Sequence, residues 1–372
     1  MSVKCQVVMD IMERIAPRCL AESWDNVGLL VGSPAQTINN IMVCLDINEA
    51  LIDRAVEQNI DMIISHHPVI FQPVKNLRTD LPHGKLLAKL LQNDISVFAA
   101  HTNLDSAAGG VNDVLATKLG IKNLRPLSES YREALVKLVV FVPEEHAETL
   151  QAAIGDAGAG YIGGYSHCSF SLAGQGRFKP LAGAKPFVGK INELAKVNEV
   201  RIETIVPEKL VRKVVKAMLA AHPYEEVAYD LYPLKNNGQT FGLGRIGTIE
   251  AAMSIENFVK QVQYSLPSQH IRFVKSSDRQ VKKVAVCSGS GADFIVKASY
   301  SGADVLVTGD LKYHEAQKAQ EYGIHVVDAG HFGTEVIIVD TLMKKIENIA
   351  KEKRVKVNII ADKVTQDPFS VI

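Results

Sequence analysis

Cysteine is scarce: five in 372 residues, with no two placed as a C-x-x-C pair. That excludes a zinc knuckle and a dithiol redox motif. An odd number scattered over a long chain suits a reducing compartment, so the cytoplasm is the expected location. Excess charge is missing too, since 41 Lys and Arg balance 41 Asp and Glu and no basic block stands out. A protein held to nucleic acid by phosphate neutralisation needs such a block, so nucleic acid is not an expected partner. No apolar run is long enough to span a bilayer, and the N-terminus lacks a signal-peptide core, so neither a membrane nor export is expected. Tryptophan occurs once, in Ser23-Trp-Asp-Asn-Val-Gly28. Beside a turn it reads as a buried aromatic plug, and the functional alternative puts Asp25 or Asn26 at a site wall.

What is there is an ordinary globular mix, 47% hydrophobic and 22% charged, in a chain too long for one core. Val7, Val8, Ile11, Met12 and Ile15 predict a helix that ends at Pro17. Strands are predicted at Ile41–Asp46, Met62–Ile64 and Ile95–Ala100, with helices after Asn48, over 84–92 and over 111–119. Alternating strands and helices favour a parallel sheet covered on both faces, with ligands at the carboxyl ends of its strands. A second set lies near the C-terminus: Val284–Cys287, Asp304–Asp310 and Ile324–Asp328. Cys44 and Cys287 are 243 positions apart, and so are Asp61 and Asp304. This spacing points to duplicated α/β halves forming one core, with the two strand-end edges facing each other across a cleft.

Between the halves the pattern changes. Leu138-Val-Val-Phe-Val-Pro143-Glu144 is echoed by Ile202-Glu-Thr-Ile-Val-Pro207-Glu208, each closing a strand and opening a helix with proline in the first turn. An alternating strand, Val227–Tyr232, follows the second helix. The order β-α-β-β-α-β is that of a ferredoxin-like plait inserted in the host. The expected organisation is residues 1–129 as the first half of the core, 130–241 as the inserted α+β domain and 242–372 as the second half. His222-Pro-Tyr-Glu-Glu226 and His167-Cys168 have the composition of a ligand or metal site, but the insert reads better as an oligomerisation module.

The chemistry gathers at strand ends. Ser65-His66-His67-Pro68 closes the Met62–Ile64 run, and Pro68 stops the strand, leaving both rings free to turn to one point. The first half offers His66, His67, His101 and Asp105; the second offers Asp310, His314, Asp328, His331 and Glu335. His331 and Glu335, at i and i+4, share a helix face. Imidazoles with a few carboxylates suit zinc, iron, manganese or nickel rather than calcium. The set is large enough for two metals bridged by a carboxylate. Ser288-Gly-Ser-Gly291 reads as a tight turn, with a phosphate-cradling loop as the alternative.

Over its whole length the chain resembles the dinuclear-metal-centre proteins catalogued as GTP cyclohydrolase I type 2 homologues. The resemblance is carried by Ser23-Trp-Asp-Asn-Val-Gly28, Ser65-His-His-Pro68, His101-Thr-Asn-Leu-Asp105, Thr308-Gly-Asp-Leu-Lys-Tyr-His314 and Gly330-His-Phe-Gly-Thr-Glu335. It implies metal ligands at His66, His67, Asp105, His331 and Glu335, and places His101 and His314 nearby as proton-handling groups. It implies two divalent ions per subunit, zinc first, and an insert similar to PII and CutA proteins. It also implies a homohexameric ring, a trimer of dimers with the sites facing inward. Asp105 and Glu335 are the expected bridging carboxylates. The expected activity is hydrolysis of a small nucleotide-like molecule, and the catalogue name suggests opening of a purine imidazole ring. A non-catalytic metal-binding scaffold or regulator is the alternative.

Overall fold

Met62–Ser65 is a strand buried at every position. It lies between Asn40–Cys44 and Ser96–Ala99, parallel to both. Asn358–Ala361 adds a parallel strand beyond Asn40–Cys44, and Gly28–Val31 closes the other edge antiparallel. Such β-branched, doubly buried strands need helices on both faces. Met42, Cys44, Ile63 and Val97 pack on Leu51, Ile52, Leu87 and Leu90 of helices Glu49–Glu57 and Pro82–Gln92. The first of these helices starts where the Asn48 side chain accepts the Leu51 N–H at 2.8 Å. On the opposite face Ile41, Val43, Met62 and Ile64 meet Val8, Ile11 and Met12 of helix Cys5–Ile15 and Ile338, Leu342 and Ile346 of helix Ile338–Glu352. The C-terminal part of the chain therefore closes the core of the N-terminal part.

A second sheet repeats the theme. Val281–Ser290, Val305–Gly309 and His325–Asp328 run parallel in that order. Arg272–Val274 lies antiparallel beyond the last, and Thr240–Met253 lies antiparallel beside the first, followed by Lys122–Arg132. The two sheets share a local device. Asp61 Oδ2 accepts the N–H groups of Asn39 and Asn40 at 2.7 and 2.9 Å. Asp304 Oδ2 accepts those of Lys282 and Lys283 at 2.9 and 2.7 Å. In each case the carboxylate that opens the second parallel strand anchors the start of the first.

This computed structural model describes residues 3–268 and 270–370 and divides into two compact units, Met1–Tyr131 with Phe241–Ile372, and Arg132–Thr240. Both sheets above belong to the first unit, and the fold class is mixed α/β. Among the described residues no helix is long and apolar enough to cross a membrane.

Past the C-terminal strand, Asp362 N–H donates to Val43 O at 2.8 Å. Its carboxylate accepts from Arg54 Nη2 at 2.8 Å, from the Thr365 hydroxyl and from the N–H groups of Val364 and Thr365. Burial pushes this carboxyl upward, and those hydrogen bonds outweigh it, holding it below the ordinary value of 3.8. A carboxylate depressed on folding adds stability above its unfolded pKa of about 3.9, and that contribution is lost as pH falls through the folded value. Asp362→Asn should cost about 1–2 kcal/mol at neutral pH. In urea unfolding against pH, the gap from the wild type should close below about pH 4.

Unit Arg132–Thr240 runs strand Leu135–Pro143, helix Ala147–Asp156, strands Ser169–Phe178 and Ala195–Pro207, helix Val211–Ala221 and strand Tyr229–Leu234. Its four strands are antiparallel, with Tyr229–Leu234 and Ala195–Pro207 on either side of Leu135–Pro143, and Ser169–Phe178 at the far edge. Leu138, Val140, Val142 and Ile202 face Leu150, Ile154, Val214 and Met218 of the two helices. His222 is structural. Its Nε2–H donates to Phe141 O at 2.9 Å and its Nδ1 accepts the Tyr224 N–H at 3.0 Å, so both ring nitrogens are used. Burial lowers its pKa and keeps it neutral.

Candidate metal centre

The turn after Met62–Ser65 stays tied to its neighbour, with His66 and His67 N–H groups donating to Cys44 and Leu45 carbonyls at 3.1 and 3.0 Å. The rings are thereby fixed at the strand end. His66 is fully buried. Its Nδ1 is 2.9 Å from Ala100 O. A carbonyl only accepts, so Nδ1 carries the proton and Nε2 presents a lone pair. That Nε2 is buried without a hydrogen-bond partner. It lies 3.7 Å from Asp105 Oδ1 and 3.8 Å from Glu335 Oε1.

The other rings follow the same rule. His67 Nδ1 is 2.7 Å from Asp46 Oδ1, and its Nε2 is 2.9 Å from Glu335 Oε2. His331 Nδ1 is 2.7 Å from Asp310 Oδ2. Its Nε2 is 3.0 Å from Glu335 Oε2 and 3.3 Å from His67 Nε2. The one-turn helix His331–Glu335 places ring and carboxylate on one face. Among the described residues, three groups could hold a metal ion: His66 with Asp105 and Glu335, His67 with His331 and Glu335, and His66 with His67 and His101. His66, His67, Asp105, His331 and Glu335 all come together, across both sheets of the first unit.

The donor set fits a cation. An ion roughly 2.1 Å from each of two donors in a tetrahedral shell keeps them roughly 3.4 Å apart, close to the His66 spacings. An unpaired buried lone pair is costly, and an ion would satisfy it. Carboxylates or a carbonyl on the remote nitrogens of ligating imidazoles are the usual support for metal binding. Electrostatics agree. Burial opposes charge on His67, and hydrogen bonds with Asp46 and Glu335 outweigh it, raising the ring to about 10. The same balance, with Glu335 and Asp310, raises His331 to about 9. Burial raises Glu335, but hydrogen bonding with His331 and His67 and the nearby His66 ring hold it well below the usual range. The site is built to stabilise positive charge.

His101 stands beside this cluster, its ring 5.3 and 5.7 Å from those of His66 and His67. Its Nδ1 is 2.9 Å from Asp25 Oδ1. Asp25 also accepts the Thr102 N–H at 3.0 Å and the Thr102 hydroxyl. His314 joins none of the three groups, and its Nδ1 is 3.0 Å from Gln317 Oε1 on its own helix, Tyr313–Glu321. It lies five residues past its strand, Val305–Gly309, whereas His66, His101 and His331 lie one to three past theirs. His167, Cys168 and His222 join none of the groups either. Trp24 corrects the expectation of a buried plug, because 58% of it is exposed. The polar residue next to it, Asp25, took the interior position instead, its side chain fully buried.

Sequence reasoning passed over Asp46, the support of His67, although it too follows a buried strand. It also undervalued Ser288–Gly291. The strand Val281–Ser290 runs into that stretch, and its N–H groups are committed: Ser288 to Asn112 Oδ1 at 2.9 Å, Gly289 to Thr334 Oγ1 at 3.0 Å, Gly291 to Thr308 Oγ1 at 2.8 Å. Those three N–H groups are therefore not free to cradle a phosphate. The segment instead shapes the candidate metal centre. Gly289 has φ +59°, and a Cβ there would run into Glu335 Oε1 and lie 3.1 Å from His331 Nε2. Gly289→Ala should therefore weaken divalent binding by about 10–100-fold, the penalty typical of disturbed metal-site support, as read by competition with a metallochromic chelator. Unchanged affinity would mean that this close approach does not matter.

A family model described as Duf34/NIF3 (NGG1p interacting factor 3) matches residues 3–368. A Bacillus subtilis protein named GTP cyclohydrolase 1 type 2 homolog is 45% identical over 371 residues, covering 100% of this chain and 99% of that one. A solved Bacillus cereus protein described as related to NIF3 superposes with a TM-score of 0.93 at 43% identity, covering 100% and 99% of the two chains. A solved Staphylococcus aureus protein gives a TM-score of 0.76 at 28% identity, with the same coverage. The chain, with its converging imidazoles and carboxylates, belongs to the Duf34/NIF3 family.

Proposed function

We propose that this chain is a metal-dependent hydrolase acting on a small nucleotide-like substrate, with two divalent ions held by His66, His67, Asp105, His331 and Glu335. The observation that carries it is the partnerless Nε2 of His66, aimed at Asp105 and Glu335. Glu335 offers Oε1 toward His66 and Oε2 toward His67 and His331, as a bridging carboxylate would. The donor types favour zinc, and iron, manganese or nickel would also suit them. Divalent ions held there would supply Lewis acidity, bringing the pKa of water toward neutrality and polarising a carbonyl or phosphoryl oxygen. The chain's own contribution is positional. Asp25 fixes the His101 ring by Nδ1, leaving its other nitrogen to take or give a proton at the substrate. The name of the Bacillus subtilis relative suggests purine ring opening, in which two waters are consumed and the carbon between the imidazole nitrogens leaves as formate.

The second reading is a metal-binding scaffold without chemistry. What favours it is that His314 joins none of the groups that could hold an ion and bonds within its own helix. The test is a substrate screen with purified, metal-loaded protein. Turnover should vanish in His66→Ala/Glu335→Ala, fall about 100–10,000-fold in His101→Gln and persist in His314→Ala. Equal trace activity in the wild type and the double variant would remove the hydrolase reading.

The same proposal includes the architecture. Asp61 and Asp304 perform the same anchoring 243 positions apart, which supports a duplicated half. The unit Arg132–Thr240 is then a ferredoxin-like, PII/CutA-like assembly module. Its exposed Phe170, Leu172 and Tyr232 support self-association into a homohexamer, a trimer of dimers.

A further inference from the structure

We infer that Trp24 and Phe71 form a stacking wall for a planar heteroaromatic ring presented to the metal centre. This rests on the hydrolase reading for where the substrate reacts, but ring binding does not require turnover. Both side chains are large, apolar and open to water, 58% and 44% exposed. They meet edge to face, 5.9 Å between centroids at 67°. Trp24 is 6.3 Å and Phe71 6.2 Å from the His101 ring, which itself touches His66 and His67.

Their exposure is held in place by polar contacts. Asp25, next to Trp24, is tied to His101 and Thr102. Glu22 N–H donates to Thr102 Oγ1 at 3.0 Å on the other side. Asn26 Nδ2 donates to Ile70 O at 2.6 Å, fixing the residue before Phe71. The segment that orients His101 thus also orients both aromatic rings. Two aromatic planes meeting in a corner accept a flat ring with its face on one and its edge on the other, the arrangement aromatic pairs prefer. A ring-free sugar phosphate or an aliphatic chain gains less there. Stacking on one aromatic side chain typically changes affinity by roughly 5- to 100-fold.

Trp24 is the sole tryptophan, so its fluorescence reports the site directly. Metal-loaded full-length protein would be titrated with guanosine, adenosine and cytidine monophosphates, and with ribose 5-phosphate as the ring-free control. The expected result is saturable quenching by at least one nucleotide and none by ribose 5-phosphate. Phe71→Leu, which keeps the reporter, should weaken that binding roughly 5- to 100-fold with metal content unchanged. By equilibrium dialysis, Trp24→Phe should bind nearly as the wild type does and Trp24→Ala should bind weakly. For any nucleotide turned over, Phe71→Leu should raise KM and leave kcat within about 2-fold, the signature of lost ring binding. Quenching without turnover would support the wall and count against the hydrolase reading. Turnover with KM unaffected by Phe71→Leu would overturn the wall and leave the hydrolase reading standing. Absence of quenching by all three nucleotides, or equal binding of ribose 5-phosphate, would also overturn the wall.

Discussion

Glu335→Gln should leave a folded protein that binds divalent metal at least about 100-fold more weakly than the wild type, a loss beyond that of a supporting residue. Glu335 is where the two sides of the site meet: Oε1 lies toward His66, and Oε2 lies within 3.0 Å of His67 and His331. An amide has one acceptor oxygen and turns two N–H donors toward lone pairs that an ion needs. The negative charge that favours a cation disappears with it. The fold should survive, because His67 and His331 can become neutral once the carboxylate is gone. Competition with a metallochromic chelator, with circular dichroism as the folding control, makes the measurement. Wild-type affinity in Glu335→Gln would mean that this carboxylate holds no ion.

Arg245→Met should cost about 3–5 kcal/mol of stability, the range for breaking a buried ion pair by removing one partner. Arg245 is only 4% exposed. Its Nε and Nη2 grip Asp113 at 2.6 and 3.1 Å. Nη1 donates to Gly242 O and Gly244 O, and Nη2 to Ser106 O and Ala107 O. Methionine fills much of the volume but leaves Asp113 with the Gly109 N–H in place of its guanidinium partner, and takes a donor from each of four carbonyls. Because Ser106 and Ala107 directly follow Asp105, metal affinity should fall as well. Urea unfolding reads the first effect, and a loss under about 1 kcal/mol would place the guanidinium among the dispensable contacts. Arg245→Met/Asp113→Leu should recover part of the loss, since both polar partners are then gone.

The parallel strands were legible because doubly buried strands write themselves as short apolar runs, as in Met62-Ile63-Ile64 and Val305-Leu306-Val307. The strand-end residues were legible for the same reason: a polar residue that ends such a run lies at the sheet edge where ligands bind. Family membership followed from the clustering of these motifs. Which helix-opening histidine joins the cluster was not legible. His314 and His331 both follow strand ends, yet only His331 joins the cluster: it lies three residues past its strand and His314 five. Trp24 showed the limit of hydrophobicity as a guide: a large aromatic side chain favours burial unless its neighbours are committed first. Here Asp25, with its bonds to His101 and Thr102, claimed the interior. Ser288–Gly291 misled because Gly289 answers to a side chain that lies far along the sequence, Glu335, and pattern reading sees only local neighbours.

The central claim is that imidazoles from the first part of the chain and a carboxylate from the last grip the same ions. Anomalous diffraction at metal absorption edges, on crystals of protein purified without chelators or added metal, tests it most directly. The account predicts anomalous density among His66 Nε2, Asp105 and Glu335, and a second peak among His67, His331 and Glu335. Density bound elsewhere, or none at these groups after zinc is supplied, would contradict it.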